Sequence, residues 1–89
     1  MNDILLSYEP ATGQLLWQGT VSDVDAEVEV ARRAWPEWAS RPLTYRTEMM
    51  RRFANAVQAE AEDFADLIAR ETGKPFWEAR NEIESVIGK

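Results

Sequence analysis

Cysteine and histidine are both absent from this sequence of 89 residues. Without cysteine there is no disulfide framework, and the composition gives no indication of the redox compartment. Without either residue there is no Cys/His zinc site and no catalysis by a cysteine or by a histidine-activated serine. The four glycines are isolated, so no Gly-x-Gly sequence offers a phosphate-binding loop. The residues alone therefore predict no catalytic, cofactor-binding or metal-binding residue.

Excess basic charge and long apolar runs are missing as well. The net charge of −6 argues against nucleic acid as a partner, because nucleic-acid binding uses clustered Lys and Arg. No run approaches the ~20 apolar residues that a membrane-spanning helix needs. The N-terminus has no basic stretch before its first apolar residues, in contrast to a signal peptide. These absences predict a cytoplasmic segment with no nucleic-acid partner and no membrane partner.

The excess negative charge is concentrated near the N-terminus. Residues 1–31 contain no Lys or Arg, and their acids are Asp3, Glu9, Asp23, Asp25, Glu27 and Glu29. Residues 32–89 carry equal numbers of acids and bases. The pattern favours a solvated acidic face, with an acidic mimic of nucleic acid as a further alternative.

The first part of the chain has the pattern of a β-hairpin. Apolar and aromatic residues occur at 4–8 and again at 15–20. Between these runs, Pro10 fixes φ for a turn and Gly13 can adopt a positive φ. Because an isolated two-stranded hairpin is only marginally stable in water, we expect these strands to pack on further structure.

Helical periodicity follows the hairpin. The first helix is predicted over 23–35, with Ser22 as its N-cap and Pro36 as its stop. The next apolar stripe runs from 44 to 72, with Thr44 as the cap and Gly73 as the residue after the helix. The last helix is predicted over 76–88, since Pro75 suits a helix start.

The stripe from 44 to 72 has two interpretations. The apolar period alone favours a single helix, whereas its length of about 43 Å, at ~1.5 Å per residue, makes a break near Glu60–Ala61 reasonable. In either case short connections favour antiparallel packing of successive helices. We expect the main buried cluster to contain the aromatic and aliphatic side chains Trp35, Trp38, Phe53, Val57, Phe64 and Ile68.

Several groups of side chains invite a functional interpretation. Carboxylates four residues apart on one helix face could act as a catalytic acid and base, although solvated helix faces are the favoured interpretation. The Trp-Pro-Glu-Trp sequence at 35–38 could be a ligand platform, but an aromatic plug between helices is favoured. Adjacent Met49 and Met50 are interpreted as core filling. The carboxylate pairs are Asp23/Glu27, Asp25/Glu29 and Glu78/Glu82.

Three sequence motifs, in the same order as in the family, resemble the aldehyde dehydrogenases. Residues 9–16 (EPATGQLL) resemble the family's NPATGE opening, with Glu9 in place of Asn. Residues 31–38 (ARRAWPEW) are similar to its AR.AFP.W segment, and residues 69–79 (ARETGKPFWEA) to its ETGKP…EA junction. Residues 16–19 and Trp77 resemble the subgroup that acts on succinylglutamate semialdehyde, in arginine breakdown.

The resemblance implies that residues 1–89 are the N-terminal segment of a longer oxidoreductase, with a hairpin at 1–21 and a helical part at 22–89. The implied fold is an α+β segment, mostly helical, with three to four antiparallel helices, as part of a Rossmann-like cofactor-binding domain of a larger α/β enzyme. The family fold also favours the break near residue 60. The implied partners are the remainder of the parent enzyme and further copies in a homo-oligomer, and the implied cofactor is NAD or NADP.

The family mechanism uses a cysteine nucleophile, hydride transfer to nicotinamide and a glutamate base that activates water. The resemblance implies that all of these residues lie downstream, so neither Glu71 nor Glu82 is matched to the base. Some members bind a monovalent cation near the hairpin and the last helix through main-chain oxygens. Ser7 and Glu82 fall about where the resemblance would place that site.

The chain ends in an amphipathic helix and the hairpin lacks a partner sheet, and both features lead us to expect a piece of a larger protein. The segment alone is expected to be inactive. The alternative is a stand-alone helical protein-interaction module without catalytic activity, with a partner helix lying against Phe64, Ile68 and Ile83.

Overall fold

The computed structural model describes residues 3–89 and begins with the predicted hairpin. Strand β1 (Ile4–Tyr8) pairs antiparallel with β2 (Leu15–Thr20), and a bulge lies between Ser7 and Tyr8. In the turn, the Glu9 carbonyl accepts a hydrogen bond of 2.7 Å from the Gly13 N–H. Gly13 has φ +77°, a conformation that glycine adopts without steric cost.

Helix α1 (Val24–Ser40) begins at a different cap and ends later than the sequence predicts. Its N-cap is Asp23 rather than Ser22, and the Asp23 carboxylate accepts a hydrogen bond of 3.2 Å from the Ala26 N–H. Pro36 lies inside the helix, so the predicted stop at Pro36 is wrong. The helix ends at Arg41, whose backbone is extended because Pro42 follows it.

Helix α2 (Leu43–Ala59) starts directly after Pro42 and not at a Thr44 cap. The Pro42 carbonyl accepts hydrogen bonds from the first-turn N–H groups of Tyr45 and Arg46, at 3.0 and 3.2 Å. At Glu60 the backbone leaves helical geometry, with φ −113° and ψ 18°. The break near residue 60 is therefore confirmed, and the single helix favoured by the apolar period is wrong.

Helix α3 (Ala61–Thr72) ends at Gly73, as predicted. Gly73 has φ +81° and its N–H donates to the Ala69 carbonyl at 2.9 Å. Helix α4 (Phe76–Ile87) begins directly after Pro75, as expected of a helix start. None of the helices in the described part of the chain is long and apolar enough to cross a membrane.

The predicted buried cluster is mostly wrong. Close packing joins α3 with α4 and α2 with α4, and the buried hydrophobic residues of 3–89 are Ala65, Ala79 and Ile83. The side chains of Trp35 and Phe53 are 62% and 57% exposed. Phe64 is also exposed, whereas Trp38, Val57 and Ile68 are half-buried. The reason is that α1 does not pack closely on the other helices and α2 does not pack closely on α3, so the predicted stripes do not face one another.

The molecule is a flat layer. Its extents are 49 × 38 × 15 Å, and its radius of gyration is 17.0 Å, against about 12 Å for a compact domain of this length. Its accessible area of 7333 Å² exceeds the about 5,300 Å² expected for a folded monomer of 10.2 kDa. One layer of secondary structure therefore leaves about 2,000 Å² more surface uncovered than a finished domain does.

Candidate functional site

The most specific side-chain arrangement joins the hairpin to the end of α3, and we call it the hairpin junction (Ser7, Glu9, Trp17, Arg70 and Glu71). The hydroxyl of Ser7 donates to Oε2 of Glu71, and the indole Nε1 of Trp17 donates to the same oxygen at 3.3 Å. Ser7 and Trp17 are opposite one another in the ladder, so they project from the same face of the hairpin. One carboxylate therefore engages both strands.

A second contact of the junction lies beside the first. Nε of Arg70 donates to Oε2 of Glu9 at 3.0 Å, and the hydroxyl of Thr12 donates to Oε1 of Glu9 at 2.6 Å. The hydrogen bond from Thr12, followed by the one from Arg70, lowers the pKa of the Glu9 carboxyl, because both bonds favour its charged form. Glu9 stands where the resemblance expects Asn, and in this chain it forms an ion pair.

Two ion pairs fix the connection between α3 and α4. Lys74 pairs with Glu82, and Arg80 pairs with Glu62. The hydrogen bond to Glu82 raises the pKa of the Lys74 ammonium, because it favours the protonated form. The Lys74 pair holds the loop after Gly73 against α4, and the Arg80 pair joins α4 to the first turn of α3.

The cation site implied by the resemblance would use main-chain oxygens, and the side chains of Ser7 and Glu82 have other partners. Ser7 is engaged with Glu71, whereas Glu82 is engaged with Lys74. Within residues 3–89 no group of three or more acidic, cysteine or histidine residues could hold a metal ion. The side chains present are paired donors and carboxylates, an arrangement that positions elements of the fold.

The carboxylate pairs singled out in the sequence have ordinary structural surroundings. Asp23 caps α1, and Glu29 lies 3.9 Å from Nε of Arg33. Asp25 and Glu27 occupy the exposed first turn of α1, where the helix dipole favours acids. Glu78 is likewise exposed in the first turn of α4.

The aromatic sequence at 35–38 is divided between two environments. Trp38 packs edge-on against Tyr45, with ring centroids 6.4 Å apart, and the Arg41 guanidinium lies 5.0 Å from the Tyr45 ring centroid. Trp35 remains exposed, so the plug predicted from both tryptophans is formed by Trp38 alone. Met50 is 58% exposed, and its predicted role in a core is also wrong for this segment.

Arg70 and Glu71 were missed as contact residues, although the sequence carries a signal for one of them. Glu71 lies in the last turn of α3, where the negative end of the helix dipole disfavours a carboxylate. An acid at such a position indicates a specific partner elsewhere. Its partners are more than fifty residues away in sequence, so local pattern does not identify them.

The family follows from a comparison of the whole segment. The sequence model of the aldehyde dehydrogenase family matches residues 3–89. The chain belongs to the aldehyde dehydrogenase family. The three motifs that resemble the family lie in the hairpin turn (9–16), in the part of α1 around Pro36 (31–38) and at the junction of α3 with α4 (69–79).

Three similar relatives within the family have the same name, N-succinylglutamate 5-semialdehyde dehydrogenase. The protein from Sphingopyxis alaskensis is 72% identical over all 89 residues of this chain. The protein from Novosphingobium aromaticivorans is 55% identical over 85 residues, and one from Vibrio cholerae is 46% identical over 88 residues, each covering 96% of this chain. The chain spans 18% of the length of each of these relatives.

Proposed function

We propose that this chain is a structural segment of an aldehyde dehydrogenase that oxidises N-succinylglutamate 5-semialdehyde to the carboxylate in arginine breakdown. The observation that carries the proposal is the 72% identity, over the whole chain, to a relative that bears this name. The match covers all 89 residues and therefore includes the hairpin turn, α1 and the α3–α4 junction. The parent enzyme uses NAD or NADP as the hydride acceptor and works in the cytoplasm.

The residues of the segment do not fit a cofactor site of their own. Of the four glycines, Gly13 serves a turn and Gly73 a helix end, and Gly19 and Gly88 stand singly in a strand and at a helix terminus. The segment has no cysteine to act as nucleophile. We therefore assign the cysteine, the base and the nicotinamide contacts to the remainder of the parent enzyme, and we derive no chemical step from residues 3–89.

The proposed contribution of the segment is architectural. The flat layer supplies helices and a hairpin to a Rossmann-like cofactor-binding domain, and the remainder of the parent chain covers its exposed apolar side chains. The excess of about 2,000 Å² over a finished monomer is comparable to a large permanent interface. The parent enzyme assembles as a homo-oligomer.

A stand-alone interaction module is the alternative. It requires a partner helix lying against Phe64, Ile68 and Ile83, but Ile83 is only 7% exposed because α4 already packs on α3 and α2. A module would also have to fold independently from a layer in which three of residues 3–89 are buried. The structure therefore offers less support for this alternative than for the enzyme segment.

The test is an assay of the full-length gene product that contains residues 1–89. We expect purified protein to reduce NAD or NADP with N-succinylglutamate 5-semialdehyde, and to show a lower kcat/KM with glutamate 5-semialdehyde, which lacks the succinyl group. The isolated 89-residue chain, assayed in parallel, is the inactive control. Equal kcat/KM values for the two aldehydes would contradict the proposed substrate. Failure to reduce NAD or NADP with either aldehyde would contradict the proposed aldehyde dehydrogenase activity.

A further inference from the structure

We propose that Arg70 and Glu71 form a latch that holds the hairpin on the helical layer, and that the hairpin opens as a unit when the latch is broken. The hairpin in this sense comprises residues 4–20. The inference concerns conformation and not substrate, and it rests on the proposed function only in using the full-length enzyme for its test.

The first argument is the weakness of the other connections between the hairpin and the helices of the segment. Close packing links β1 with β2 but links neither strand closely to a helix. No side chain of β1 or β2 is buried, and the side chain of Trp17 is 36% exposed. Apolar burial within the segment therefore does little to fix the hairpin, since the stabilisation from burial scales with the area removed from water.

The second argument is the convergence of the polar contacts. Three side-chain hydrogen bonds cross between the hairpin and the helices of the described chain, and all three end on adjacent residues of α3. Glu71 accepts from Ser7 and Trp17 on opposite strands, so it also holds the two strands together. Arg70 binds Glu9 at the turn, and the two contacts together prevent both sliding and rotation of the hairpin.

The third argument is the placement of the two latch residues. Gly73 terminates α3 two residues after Glu71, and the ion pair between Lys74 and Glu82 holds the chain beyond it. The latch is therefore built on a fixed helix end, whereas the hairpin continues into α1 through the short link at 21–23. Loss of the latch should free the hairpin and leave α3 and α4 unchanged.

The test is hydrogen exchange of the full-length enzyme, read by mass spectrometry on peptides covering 4–20, 61–72 and 76–87. In Glu71→Ala we expect exchange over 4–20 to be at least about tenfold faster than in the unmodified enzyme, because hydrogen bonds to a charged group are lost. Arg70→Gln should accelerate the same peptide. Exchange over 61–72 and 76–87 should stay within about twofold in both variants.

Glu48→Ala is the matched control, because it removes an exposed carboxylate whose contact is a 3.5 Å ion pair with Arg52 on the same helix. It should leave the 4–20 peptide unchanged. If Glu71→Ala does not fold, Trp17→Phe replaces it as the latch variant, since it removes one hydrogen-bond donor to Glu71 and keeps an aromatic ring. Unchanged exchange over 4–20 in the latch variants, or equal acceleration of all three peptides, would overturn the latch. Neither result depends on which aldehyde the enzyme oxidises.

Discussion

Glu9 illustrates how neighbouring donors set the behaviour of one side chain. Thr12 and Arg70 hold the pKa of its carboxyl below the ordinary value of 4.5. A group whose pKa is lowered by folding stabilises the folded state fully above its unfolded pKa. We therefore expect this contribution at neutral pH and its loss as the pH falls below about 4.5 and through the folded pKa.

The measurement for Glu9 is a carbon-13 NMR titration of its carboxyl. Thr12→Val removes the hydroxyl donor and should move the pKa of Glu9 upward, and Arg70→Gln should move it in the same direction. Thr47→Val on α2 is the control, since it makes the same change away from the hairpin. An unchanged titration of Glu9 in Thr12→Val would show that the Thr12 hydrogen bond does not act on it.

Gly73 is a residue whose backbone conformation determines its identity. A Cβ added there would have no heavy atom within 4 Å, so the cost of substitution comes from the positive φ alone. Gly73→Ala should therefore lower the free energy of unfolding by about 1–2 kcal/mol, measured by urea unfolding. Gly88→Ala is the control, because Gly88 has φ −77°. Equal losses in both variants would contradict the argument from φ.

At the scale of elements, α1 shows that an interior proline does not by itself end a helix. Pro36 has no N–H for the carbonyl of Arg32, yet the helix continues to Ser40. A proline removes one hydrogen bond and introduces a clash with the preceding turn, but later N–H groups can still pair. The residue that ends the helix is Arg41, whose conformation is restricted by the following Pro42.

The proline makes α1 intrinsically weak. A peptide spanning 22–44 should have little helix in water, because isolated helices of this length are marginal and an interior proline costs ~3 kcal/mol. Pro36→Ala should raise its helicity markedly in circular dichroism. Pro42→Ala, outside the helix, should raise it less. Equal gains from the two changes would show that Pro36 does not limit α1.

Local signals predicted the order and type of the elements because their causes are local, although the caps at Ser22 and Thr44 and the stop at Pro36 were wrong. Gly13 and Gly73 marked the turn and the helix end through their positive φ, and Pro75 marked the start of α4. Burial was predicted poorly because it depends on surfaces that a sequence window does not contain. The hairpin junction was missed for the same reason, since Glu71 and its hairpin partners are far apart in sequence.

At the scale of the whole molecule, exposed apolar side chains require a covering surface. An open groove of about 510 Å³ lies between α2 and α4, and Met50, Phe53, Val86 and Ile87 contribute its apolar lining. Phe53 is the aromatic residue of this groove. In the proposed parent enzyme we expect the remainder of the chain to fill the groove, since large apolar patches seldom stay exposed in a soluble monomer.

Substitutions of Phe53 and Ile83 test whether the remainder of the parent chain covers this face of the segment. Ile83 is already buried within the segment, so Ile83→Ala should cost about 2–5 kcal/mol in the full-length enzyme, measured by urea unfolding. Phe53→Ala should cost a comparable ~3–5 kcal/mol there, although its side chain is 57% exposed in the segment, because the parent chain covers it. Thr44→Ala, at an exposed position of α2, is the control for helix surface changes. A loss below ~1 kcal/mol in Phe53→Ala, with a large loss in Ile83→Ala, would mean that this face stays open in the intact enzyme.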